Sequence, residues 1–192
     1  SVFVGNLATS AAGAVKDFAS NLFSLTEATE EYRSMQAKVA GSAESFGYSL
    51  DFANEKYEQF YQYVADDQMA TNAITNLMGM KVSTDTVSAS ADAAIAVWAA
   101  YGDSIPIETL TESMNESAQV AKVTGVLADT INWASRSNAD WTAVLQGHAE
   151  AQEAFHAALA EGLPVEDAYN AALAACADTQ ERADLIAQTL NS

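Results

Sequence analysis

Gly162-Leu-Pro-Val-Glu-Asp-Ala-Tyr-Asn-Ala-Ala-Leu-Ala-Ala-Cys-Ala-Asp-Thr-Gln-Glu181 holds one whole helix with the punctuation on both sides of it. Val165, Ala168, Tyr169, Ala172, Leu173 and Cys176 recur at intervals of three and four, which places an apolar stripe on one helix face. Gly162 ends the helix before it, and Pro164 supplies a fixed φ where this one begins. Asp178 or Thr179 caps the next helix, and Glu181 lies near its positive end.

The same pattern extends outward in both directions. Leu50, Ala53, Tyr57, Phe60, Tyr61 and Val64 form one stripe. Val87, Ala91, Ala94, Ile95 and Trp98 form a second, and Ile107, Leu110, Met114, Ala118 and Ala121 a third. Val123, Leu127, Ile131 and Ala134 continue the series. Ser49, Ser83 or Thr84, and Asn138 are candidate caps, Gly79 a candidate left-handed stop, and Pro106 a candidate first helical residue. No period-2 run of β-branched and aromatic residues is present, so the sequence predicts no strand. The expected fold is all-α: an array of about ten mostly short helices, with the longer ones in the first third. Residues 1–80 read as a longer-helix segment and residues 81–192 as a compact cluster of short helices. No fixed-period repeat is found.

Composition narrows the function. The chain has 192 residues, 8 Lys plus Arg against 26 Asp plus Glu, and a net charge of −18. Binding to nucleic-acid phosphates or to an anionic membrane surface requires clustered cations, which this balance disfavours. At 49% hydrophobic residues, the chain is too apolar for a disordered acidic tail. A single cysteine excludes an intramolecular disulfide and a Cys-rich zinc site. Residues 2–15 are uncharged, but too short and too polar to span a bilayer, and they lack the basic start of a signal peptide. The first residue is Ser1, which suggests a fragment or a processed product.

The chemistry-bearing residues assemble into no recognisable motif. Phosphate-cradling glycine patterns, H-E-x-x-H and calcium loops do not occur. Cys176 lies on an Ala-rich face with no histidine in its segment, so it reads as a small core hydrophobe. His148 and His156 are eight apart and could share a helix face with Gln152. Glu153 and His156 form one Glu-x-x-His, whereas a di-iron bundle requires two. The carboxylates Glu27, Glu30, Glu31, Asp66, Asp67, Glu150 and Glu153 read as solvated helix faces. Tyr57, Phe60, Tyr61 and Tyr63 read as core or as a partner interface, since they lack the cations of a single-strand platform. Asn115-Glu-Ser117 matches a glycosylation sequon. The expectation is therefore a non-enzymatic protein with no catalytic, cofactor-binding or metal-ligating residue.

Four stretches go beyond helix-forming composition. Tyr101-Gly-Asp-Ser-Ile-Pro-Ile-Glu-Thr-Leu-Thr-Glu-Ser-Met-Asn-Glu116 is followed by Lys122-Val-Thr-Gly-Val-Leu-Ala-Asp-Thr-Ile-Asn-Trp133. Residues 165–176 and 179–190 complete the order, and Ala73-Ile-Thr-Asn-Leu-Met-Gly-Met80 precedes them. In this order they resemble the tail tape measure proteins (minor tail proteins) of tailed phages and prophages, over about residues 70–191. The resemblance brings no catalytic residue. It implies a virion structural role in setting tail length during assembly and in genome ejection, in the virion tail and, during assembly, in the host bacterial cytoplasm. It also implies three partners: the tail-tube protein, tail assembly chaperones and further copies of the chain. A continuous helix rises about 1.5 Å per residue, so 192 residues would span on the order of 290 Å. The capped short helices instead predict a folded cluster for residues 81–192. The alternative reading is a non-enzymatic helical adaptor module of a secretion-type system, and a cell-wall hydrolase is a third class that no residue set supports.

Overall fold

Ser49 and Ser83 show how local chemistry sets the helix boundaries. Each is extended, and each side-chain oxygen accepts a hydrogen bond from the backbone N–H three residues on, Phe52 and Thr86 respectively. In a computed structural model, which describes residues 30–136 and 139–192, the chain forms ten α-helices and one 3-10 turn among the described residues. They are α1 (Glu30–Phe46), α2 (Leu50–Val64), α3 (Asp67–Met78), α4 (Thr84–Tyr101), α5 (Ile107–Val120) and α6 (Gly125–Arg136). After residues 137 and 138 come α7 (Trp141–Val144), α8 (Ala149–Ala160), α9 (Val165–Ala175) and α10 (Thr179–Leu190). The described residues contain no strand, and the fold is all-α. Among the described residues the longest helix is α4, with 18 residues, followed by α1 with 17 and α2 with 15. Residues 2–15, read as too short and too polar to span a bilayer, fall outside the described residues.

Several boundaries differ from the sequence reading for physical reasons. Gly79 is right-handed, with φ −60°. The left-handed residue is Lys81, at φ 58°, after a tightened last turn in which Met80 and Lys81 donate to the Leu77 and Met78 carbonyls. A Cβ at Gly79 would lie 2.9 Å from the Asn115 amide nitrogen of α5, the end of a flexible side chain. Pro106 and Pro164 are N-cap residues, so α5 and α9 begin one residue later than the prolines. The Asn138 cap falls outside the described residues; Asp140 caps α7, accepting from the Thr142 and Ala143 N–H groups. Asp178, not Thr179, caps α10. Gly162, at φ 84°, ends α8, with its own N–H on Leu159 and the Leu163 N–H on Ala158, a Schellman arrangement.

One buried cluster runs from Val39 to Ile186 and continues across residue 80. Helix α3 packs on α1, α2 and α5, while α10 lies against α4 and α5. Helices α8 and α9 pair closely, and α9 also touches α6. The core is rich in alanine: Ala70, Ala73, Ala91 and Ala94 are fully buried, which lets helix backbones approach closely. Larger side chains fill the junction of α7 to α10. Trp141 lies 4.9 Å from the Phe155 ring and 5.9 Å from that of Tyr169, centroid to centroid. The fully buried Tyr169 pairs its hydroxyl with that of Thr189 at 2.9 Å. Burial raises the Tyr169 phenol far above its ordinary value, and the Thr189 hydrogen bond only partly offsets this.

Candidate functional site

Polar side chains in this fold close contacts between helices. Gln180 accepts from the Ser83 N–H at 2.7 Å and donates to Thr86, whose hydroxyl donates to Asp184 at 2.6 Å. This ties the start of α4 to the start of α10. Arg182 Nε donates at 2.5 Å to the carbonyl of Ala118 in the last turn of α5. Asn170 accepts from the Val123 N–H at 2.8 Å, and Gln188 donates to the Val144 and Gln146 carbonyls. Each of these bonds joins segments at least 42 residues apart in the sequence.

The residues singled out in the sequence do not converge. Cys176 is buried and its thiol donates to the Ala172 carbonyl at 3.4 Å. Burial, followed by the nearby Glu181 carboxylate, pushes that thiol up to about 11, which leaves almost no thiolate near neutral pH. His148 is the N-cap of α8 and not a member of it, so it does not share a helix face with Gln152 and His156. Its Nδ1 lies 3.7 Å from Glu181, whereas the exposed His156 faces the Thr142 hydroxyl at 3.5 Å. The described residues contain no group of three or more His, Cys, Asp or Glu placed to hold a metal ion. The aromatic run divides: Tyr57 and Phe60 are buried, whereas Tyr61 and Tyr63 are 41% and 53% exposed. The Tyr57 hydroxyl donates to Asp67 at the start of α3. In the sequon, Ser117 is fully buried, and its hydroxyl accepts from the Thr124 N–H.

Sequence reasoning missed one concave feature. A cleft of about 460 Å³, open to solvent, lies where α4 and α10 end, between α6 and the segment 139–144. Val97, Ala143, Val144 and Leu190 supply apolar walls, and Tyr101, Asp140 and Ser192 also line it. Three of its hydroxyls are engaged within the fold: Thr130 donates to Val126, Thr189 to Leu185 and Ser192 to Thr189. Asp140 is the one side-chain carboxylate among the lining residues, which include no His, Lys, Arg or Cys. No described helix is long and apolar enough to cross a membrane.

No protein-family model matches the chain, and no curated protein or solved structure is significantly similar to it.

Proposed function

We propose that the chain is a helical structural domain of a phage tail tape measure protein, without catalytic activity, acting in tail assembly and genome ejection. The observation that supports this reading best is the mutual packing of the stretches that carry the resemblance. Residues 73–80 lie on α3 and its end, 101–116 on the end of α4 and on α5, 122–133 mainly on α6, and 165–176 and 179–190 on α9 and α10. α3 packs on α5, α5 on α6, α6 on α9, and α10 on both α4 and α5. The order of motifs along the chain is thus also one contiguous packing unit. The engagement of polar side chains in helix-to-helix ties accords with a role that depends on shape and cohesion.

In this reading the tail-tube protein, tail assembly chaperones and further copies of the chain are its partners, and the virion tail is its location. The test is an in-frame deletion of residues 70–191 in the phage or prophage that encodes the chain, followed by electron microscopy of the particles. Shortened, absent or aberrant tails support the proposal. Normal tails of unchanged length overturn it, and retention of the chain at a secretion apparatus would favour the adaptor alternative.

A further inference from the structure

Among its lining residues the cleft at the ends of α4 and α10 carries one side-chain carboxylate and no cation. Two helices terminate at it, and neither carries a basic residue in its last turn. Helix C-terminal ends present partial negative charge, which a nearby cation would ordinarily offset. The Asp140 carboxylate adds a full negative charge, and among the described residues it has no ion-pair partner, its hydrogen bonds coming from the Thr142 and Ala143 N–H groups. Tyr101, which lines the cleft, is 46% exposed and pairs with the exposed Trp133 at 5.2 Å between ring centroids. Aromatic faces beside a carboxylate attract Arg and Lys side chains, Arg more often than Lys. The remaining wall is aliphatic, from Val97, Val144 and Leu190.

We propose that this cleft docks an arginine or lysine side chain, flanked by apolar residues, from a basic segment of a partner protein. The guanidinium or ammonium lies between Asp140 and the Tyr101 ring, and the flanking apolar side chain covers Val97 and Leu190. A second copy of this chain is the poorer occupant, because each copy brings a net charge of −18 to the contact. This inference concerns the cleft alone and does not depend on the tail assignment.

The test is titration of the whole chain with an acetylated, amidated Leu-Arg-Leu-Arg-Leu peptide, followed by backbone NMR shifts. A Leu-Glu-Leu-Glu-Leu peptide is the control. Asp140→Asn keeps a good helix cap while removing the charge, and Tyr101→Ser changes an exposed residue. Glu116→Gln removes an equal charge from α5, outside the cleft. The proposal expects shifts concentrated on Val97, Tyr101, Val144 and Leu190, at least tenfold weaker binding in each cleft variant, and an unchanged constant for Glu116→Gln. Equal losses in Asp140→Asn and Glu116→Gln would mean diffuse attraction to an acidic protein and would overturn it. So would equal binding of the glutamate peptide, or a homodimer in which these residues are the ones protected.

Discussion

Replacing Arg182 with leucine tests how far long-range polar ties hold the helices together. Helix α5 ends at Val120, and Ala121 turns left-handed at φ 55°, so the Ala118 carbonyl belongs to the last turn, where in-helix donors run out. Arg182 Nε fills that vacancy at 2.5 Å from a helix 64 residues away in sequence, and its Nη2 also donates to Thr179. A hydrogen bond from a charged group contributes about 1.5–3 kcal/mol, and a cation at a helix C-terminus adds about 0.3–1 kcal/mol at exposed sites. Arg182 is only partly buried, which favours the lower end, so the expected loss is about 2 kcal/mol. For a chain of this size that corresponds to a fall in Tm of about 4–8 °C. Urea unfolding followed by far-UV circular dichroism gives the value directly, and Arg182→Lys should recover part of it. A loss below about 0.5 kcal/mol, the range of ordinary surface substitutions, would refute the reasoning.

The left-handed Ala65 and Ala121 should each become more favourable as glycine, by about 1 kcal/mol, read as a rise in the urea midpoint at unchanged slope. Gly79→Ala should leave the midpoint nearly unchanged, because φ −60° suits alanine and the Asn115 amide that the new Cβ meets at 2.9 Å is the end of a flexible side chain. Phe155→Ala removes a fully buried ring from the Trp141 contact and should cost about 3–5 kcal/mol in the same assay. The Cys176 thiol ionises near 9.0 in an unfolded chain and at about 11 in the fold. Its raised value therefore contributes stability that is complete below about pH 9 and is lost as pH rises through about 11. The stability difference between the native chain and Cys176→Ala, measured across that window, should shift against the native chain as pH rises.

Local signals were the legible part. Ser49, Ser83 and Asp178 cap where their side chains suggest, because an N-cap requires only the residue and the three that follow it. The apolar stripes locate helix faces for the same reason: Leu110, Met114 and Ala118 are four apart and all buried. Gly79 misleads because the last turn tightens past it and the left-handed residue is Lys81, two places on. His148 stands one residue before its helix, which separates it from the Gln152 and His156 face that spacing suggests. The cleft was invisible because α4, α6, the 139–144 segment and α10 contribute to it across about half of the chain. The bonds of Gln180 to Ser83 and Thr86 cross a similar distance, and no periodicity encodes such pairs.

The tail assignment is tested most directly by carboxylate-reactive cross-linking of intact, purified tails, with the linked peptides identified by mass spectrometry. The exposed acids, among them Glu112, Glu116, Glu150 and Glu153, provide the attachment points. The account predicts that they link to lumen-facing segments of the tail-tube protein or to further copies of this chain. Links only to the outer surface of the particle, or absence of the chain from intact tails, would contradict it.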